Sequence, residues 1–296
     1  MGYARFRGKR GELRLILIQL RNSPLTLLGL CIVLGLVIVA LLADLIVPYP
    51  EDVMYGMHME RRLLPPCREF LFGTDYMGRD ILSRVIYGTR TSLVIGLIVV
   101  AIAATIGVIL GLIAGYFGGK VDEVIMRITD AFLSIPSLIL ALAIAAALRP
   151  GVETAIAAIA ITWWPWYARL VRAQTLSVKE QQFVEAAKAI GCGSLRVILS
   201  HVLPNCLTPV VVQASLDIGY AILTAAALGF LGVGAQPPTP EWGLMIGLGR
   251  KYFPTYWWLT VLPGLAIFIS VLGFNLLGDG IRDLLDPRLR RMIRKW

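Results

Sequence analysis

Charge is scarce in this sequence of 296 residues: Asp, Glu, Lys and Arg together make up 16% of it, against about a quarter in soluble domains. Apolar residues fill the space, at 57%, and the mean hydropathy is +0.74. A soluble chain this apolar would expose larger hydrophobic patches than monomers carry. A soluble enzyme, a disordered chain and a collagen-like chain are therefore excluded, and a membrane protein remains. Histidine is almost absent: His58 and His201 lie far apart, so no cluster at metal-ligand spacing can form. The four cysteines include no C-x-x-C pair, which argues against zinc and redox roles. A P-loop of the form G-x-x-x-x-G-K-[ST] is missing too. The nearest stretch, Gly115 to Val121, is one residue short between glycines, lacks the hydroxyl after Lys120 and follows no strand. No nucleotide site, catalytic residue, metal ligand or cofactor site is expected here.

A bilayer crossing needs about 20 mostly apolar residues. Six runs are read as spans: Leu25 to Val47, Leu93 to Ala114, Ala131 to Leu148, Thr154 to Tyr167, Leu207 to Gly232 and Trp257 to Leu277. The fourth is short and needs flanking residues to extend it. Residues 149–153 read as a tight turn between antiparallel helices. The runs are continuous instead of alternating with period two, so helices are favoured over a barrel. The fold class expected is all-α, a polytopic membrane protein with six transmembrane helices. Arg5, Arg7, Lys9, Arg10 and Arg14 precede the first run, but it exceeds the 7–15 residues of a signal-peptide core and no A-x-A-like site follows; it reads as a retained span.

With 28 Lys and Arg against 19 Asp and Glu, the net charge is +9, and its distribution orients the chain. The N-terminus, 117–130, 168–206 and the C-terminus together hold 19 basic and 9 acidic residues; the opposite side holds 9 and 8. The positive-inside rule then places both termini in the cytoplasm. The resulting organisation is a basic cytoplasmic segment 1–24, a first span 25–47, an extracytoplasmic loop 48–92, a five-helix core 93–277 with a cytoplasmic segment 168–206, and a basic tail 278–296. Only Cys67 faces outward. Juxtamembrane Lys and Arg beside anionic membrane lipid account for the basic balance, so no nucleic acid partner is needed.

Segment 168–206 carries the most information. Ser177 and Glu180 have capping-box spacing, and Phe183 to Ile190 is rich in helix formers. Gly191 supplies a left-handed residue to end that helix, and Leu195 to Leu203 resumes a helical pattern until Pro204 opens the fifth span. Val184, Ala187 and Ala189 make a small, shallow surface suited to a groove on another protein. In the spans, Gly107, Gly111 and Gly115 recur every fourth residue, a spacing that lets helices approach closely. Gln213, Asp217 and Tyr220 share one helical face, and a carboxylate within a span faces a cavity or a partner; a hydrophilic wall of a translocation path and a buried interhelical hydrogen bond both fit. Ser134 and Pro136 predict a kink in the third span. Aromatic residues 163–167 and 252–258 read as interfacial anchors. In the loop 48–92, Asp80 to Thr91 reads as an amphipathic helix.

Glu185-Ala186-Ala187, Gly191 four residues on and the later Leu203-Pro204 resemble the EAA motif of importer-type ABC transporter permeases. The C-type subunit of dipeptide and oligopeptide importers is similar in further stretches: Phe72 to Arg84, Phe230 to Gly234 with Pro237 to Gly243, and Gly278 to Arg290. Ala225 stands where that family often has Glu. The resemblance implies a type I ABC importer permease fold in the cell membrane of a prokaryote, forming half of a heterodimeric path for peptides. It implies as partners a second homologous permease subunit, two cytoplasmic ATP-binding subunits and an extracytoplasmic substrate-binding protein. Glu185 would make a polar contact in an ATPase groove, Ala186 and Ala187 would allow close approach, and Gly191 the turn. Oligosaccharide or nickel cargo stays open under the same resemblance. A self-sufficient secondary transporter or channel would predict inverted repeats and several intramembrane charges, and only Asp44 and Asp217 stand within the spans.

Overall fold

The computed structural model of the chain describes residues 23–285. The basic segment 1–24 and the tail 278–296, with the end of the motif reaching Arg290, lie wholly or partly outside them. Among the described residues the regular elements are helical, and the one β feature is an isolated bridge between Thr74 and Asp80. In chain order the helices are α1 (Pro24–Ile46), α2 (Ile81–Phe117), α3 (Gly119–Leu133), α4 (Ser137–Ala147) and α5 (Val152–Lys179). Then follow α6 (Gln182–Ala189), α7 (Ser194–Phe230), α8 (Trp242–Gly249) and α9 (Trp258–Leu285). Four of them, α1, α2, α7 and α9, are long and apolar enough to cross a membrane; α3 and α4 add a fifth crossing if taken as one bent pair.

Two expected spans take a different form. The run from Ala131 to Leu148 is not one helix: α3 and α4 meet at a bend of 86°. Pro136 has no N–H to donate and its ring would strike the carbonyl of residue 132 in a straight helix, so the kink anticipated at Ser134 and Pro136 becomes a complete break. The fourth run, read as a short span, lies within a helix of 28 residues: α5 continues well past Tyr167 through Arg169, Arg172 and Lys179 and is not among the helices long and apolar enough to cross. That continuation places Ser177 inside the helix end, where it caps nothing. The capping box is absent; α6 starts after Gln181 without a side-chain cap. Pro204 stands in the first turn of the α-helical stretch Leu203–Phe230, as expected; α7 as a whole runs from Ser194, its first turn joined to that stretch by a π turn at Ile198–Val202.

The bundle is held by contacts that only glycine permits. A Cβ on Gly107 would stand 2.3 Å from Tyr167 Cβ, one on Gly111 2.6 Å from the Ala168 carbonyl oxygen, and one on Gly115 2.7 Å from Thr175 Cβ. The glycine stripe of α2 thus seats directly on the backbone of α5 in the same subunit. On its other sides α2 packs against α7 and α1, while α9 packs between α1 and α7.

At the N-terminal end of α2, segment 48–80 is a hydrogen-bonded cap. Asp80 caps the helix through Ser83 N at 2.7 Å, and its own N–H donates to Asp52 Oδ2 at 2.9 Å. Burial pushes the Asp80 carboxyl above the usual carboxylate range. Arg79 grips Asp75 through Nε and Nη2 at 2.8 and 2.7 Å, both side chains almost fully buried. Buried Arg84 donates to the carbonyls of Val53, at 2.6 Å, and Pro238, at 3.4 Å, tying in the turn before α8. Trp258 Nε1 donates to the Thr74 carbonyl at 3.3 Å. Glu241 caps α8 by accepting from Gly243 N and Leu244 N, each at 2.8 Å; burial pushes its carboxyl up to about 7.

Replacing Gly111 by Val is expected to lower stability by about 1–3 kcal/mol, the usual cost of overpacking, read as a fall in the thermal transition of the purified protein in detergent. Asp75→Ala leaves the Arg79 guanidinium buried without its carboxylate, and a larger loss of about 3–5 kcal/mol is expected in the same measurement. An unchanged transition in either variant would show that the contact does not hold the fold.

Candidate functional site

The short helix α6 follows α5 after two residues and turns one face inward. Val184 and Ala187 are buried in the same apolar cluster as Val178, Val197, Ile198 and Val202. Ala187 therefore anchors the helix, and the expected outward surface of Val184, Ala187 and Ala189 reduces to Ala189. Glu185 and Ala186 are exposed. Gly191 has φ +85°, in the left-handed region, and its N–H donates to the Lys188 carbonyl at 2.9 Å while Cys192 N donates to Ala187 O at 3.1 Å. The helix ends as expected. Leu203 packs against the apolar cluster and Pro204 is exposed on α7. In the same segment of chain, Phe183, Ile190 at 81% exposure and Leu195 at 71% are apolar side chains open to solvent. These were missed from sequence because a helix this short gives too few turns to separate an inner from an outer face.

Gln213, Asp217 and Tyr220 of α7 do share one face, and they line a cavity of about 630 Å³ together with Ser137 of α4 and Trp163, Trp166, Arg169 and Leu170 of α5. Asp217 makes the expected interhelical hydrogen bond and also lines the cavity. Its Oδ2 accepts from Tyr167 OH at 2.6 Å across the α5–α7 contact, and its Oδ1 accepts from Gln213 Nε2 at 2.9 Å, while the residue still faces the cavity. Trp163 stacks on Tyr220, ring centroids 5.4 Å apart.

The aromatic run 163–167 is therefore no interfacial belt. Trp163, Trp164 and Tyr167 are buried in mid-helix, and only Trp166 is open, at 60% exposure. A signal for this was present in the sequence: Trp163, Trp166 and Leu170 fall three and four residues apart, on one face. Ala225 is buried in the apolar core between the helices.

Below the cavity α5 is paired to the amphipathic helix α3. Arg169 meets Asp130 at 2.5 Å, and Arg172 forks onto Asp122 at 2.5 and 2.6 Å. Lys179, the last residue of α5, donates to the Gly115 carbonyl at 3.0 Å. The same Gly115 packs on Thr175 within α2, which removes the imperfect P-loop as a phosphate cradle.

Residues 107–291 match the family model described as binding-protein-dependent transport system inner membrane component. Residues 12–66 match the N-terminal TM domain of oligopeptide transport permease C. The chain is 46% identical over 91% of its length to the probable D,D-dipeptide transport system permease protein DdpC of Escherichia coli strain K12, of which 90% is covered. It is 47% identical over 88% of its length to the di/tripeptide transport system permease protein DppC of Pseudomonas aeruginosa strain UCBPP-PA14, again with 88% covered. Among solved structures, an inward-facing MetNI methionine ABC transporter matches with a TM-score of 0.56 at 20% identity, covering 70% of this chain and 98% of that one; at that identity the likeness shows the fold. With the family model covering well over half the chain and relatives this similar along nearly its whole length, the chain belongs to the binding-protein-dependent inner membrane components, the permease subunits of ABC importers, and is a transport component, not an enzyme.

Proposed function

We propose that this chain is one half of a heterodimeric permease that imports peptides across the inner membrane of a prokaryote. The curated relatives are dipeptide and di/tripeptide permeases by name, which favours peptide cargo over oligosaccharide or nickel. The observation that carries the coupling role is α6. It is a two-turn helix anchored by Val184 and Ala187, presenting Glu185 and Ala186, with Phe183, Ile190 and Leu195 exposed in the same segment of chain. Exposed apolar side chains together with a carboxylate suit a groove on a cytoplasmic ATPase, and the element joins α5 with only two residues between. Two such ATPases, one per permease, would drive the cycle, and a substrate-binding protein would deliver cargo to the cap built by 48–80.

In this reading the chain crosses the membrane six times, with α3–α4 as the bent third crossing and the apolar half of α5 as the fourth. Both termini are cytoplasmic, as the distribution of Lys and Arg requires. The domain organisation follows: segment 1–24 and tail 278–296 inside, span 25–47, cap 48–92 outside, and core 93–277 with its coupling segment 168–206. Gln213, Asp217 and Tyr220 line the path.

Glu185→Lys is expected to leave the assembled transporter intact on purification while reducing ATP-driven peptide uptake by on the order of tenfold or more, as loss of an interface hot spot does. Undiminished uptake would remove α6 from the coupling role. Orientation is tested with the native thiols, Cys67 on the cap and Cys192 beside α6. In a Cys31→Ser, Cys206→Ser background, a membrane-impermeant maleimide is expected to label Cys67 in intact cells and Cys192 only after permeabilisation. The reverse pattern would invert the topology.

A further inference from the structure

The acidic residues along the helices divide by what neutralises them. Asp44 has Arg90 at 2.9 Å, Asp130 has Arg169 and Asp122 has Arg172, each at 2.5 Å. Asp217 has no cation within 4 Å among the described residues; its two hydrogen bonds come from Tyr167 OH and the Gln213 amide. These neutral donors fix the direction of the carboxyl group but give it no ionic partner in a span, where a charge left unpaired is costly. A carboxylate has room for about four donors, and two places on Asp217 are filled. Arg169 lines the same cavity, but it is committed to Asp130, so the cavity keeps a net negative centre.

We propose that Asp217 is a transit site for the primary ammonium group of a peptide cargo, with the Trp163–Tyr220 stack forming the adjoining wall. The proposal rests on the peptide-import reading above. An ammonium supplies the charge that Tyr167 and Gln213 withhold, and aromatic faces within about 6 Å add cation–π attraction. Exposed Trp166 offers a further ring on the same wall. A hard divalent cation fits less well, since it takes about six oxygen ligands and no group of three or more His, Cys, Asp or Glu side chains gathers among the described residues. The volume, about 630 Å³, lies within the range of small-ligand sites and holds a short peptide. A single carboxylate without an arginine clamp also releases what it binds, as a path must.

The test uses the complete transporter, with its partner permease, ATPases and binding protein, in proteoliposomes. ATP-driven uptake of trialanine and of N-acetyl-trialanine is compared at matched occupancy of the binding protein. The wild type is expected to favour the free amine by several fold. Asp217→Asn, close to isosteric, is expected to slow trialanine about tenfold, the equivalent of one lost ion contact, and to leave the acetylated peptide unchanged; Asp217→Glu recovers part of the preference. Equal slowing of both peptides in Asp217→Asn overturns the proposal, because a structural role or a cation from the partner permease acts on every cargo. No effect on either peptide overturns it as well. A wild-type complex that hydrolyses ATP in response to loaded binding protein yet moves neither peptide overturns the peptide-import reading itself, and the proposal with it.

Discussion

The approach of α2 to α5 is the contact on which the rest is built. Three glycines one turn apart bring the two backbones so close that Tyr167, Ala168, Val171 and Thr175 rest on bare main chain. In a bilayer there is little hydrophobic drive between helices, and this kind of close packing is what remains to hold them. It fixes α5 along one side over more than two turns. The other side of the same stretch carries Trp163, Trp166, Arg169 and Leu170 to the cavity. The wall of the cavity is as rigid as the glycine contact behind it.

That rigidity reaches α6. After Tyr167 the helix continues for twelve more residues, and its charged side chains are matched in place: Arg169 and Arg172 by the acids of α3, Lys179 by the Gly115 carbonyl. Two residues separate the end of α5 from α6, and Val184 and Ala187 bind α6 to the start of α7 through the shared apolar cluster. A displacement of α6 is therefore carried by two helices, α5 and α7, which are the two that hold Tyr167 and Asp217 together.

Much of this was legible in the sequence. The apolar runs, the Gly107–Gly111–Gly115 stripe, the helix stop at Gly191 and the shared face of Gln213, Asp217 and Tyr220 follow from periodicity and from residue chemistry. What stayed hidden depends on partners distant in the chain. The full length of α5 stayed hidden because Arg169, Arg172 and Lys179 end the apolar run; in the fold Asp130, Asp122 and a carbonyl 64 residues away accept them. The tryptophans resembled an interfacial belt for the same reason, since a helix ending at Tyr167 would put them at its rim. Segment 48–80 read only as part of an extracytoplasmic loop, because its six acids and four arginines reveal nothing of the burial that Asp75 and Arg79 share.

The scarcity of charge gives each remaining charge a location that can be explained. At the cap, Asp75, Arg79 and Arg84 lock segment 48–80 to the first turns of α2 and, through Pro238, to the turn before α8. Near the far end of α2, some 55 Å away at 1.5 Å per residue over its 37 residues, the arginines of α5 are fastened to α3. The buried Asp75–Arg79 pair holds its surroundings in one arrangement, because separating it leaves uncompensated charge; the half-exposed Arg169–Asp130 pair contributes less. The cavity between these ends follows the opposite rule: Asp217 is oriented by neutral donors and clamped by none. Asp217, bound only through a phenol and an amide, keeps its direction and leaves open the place of the ionic partner proposed above.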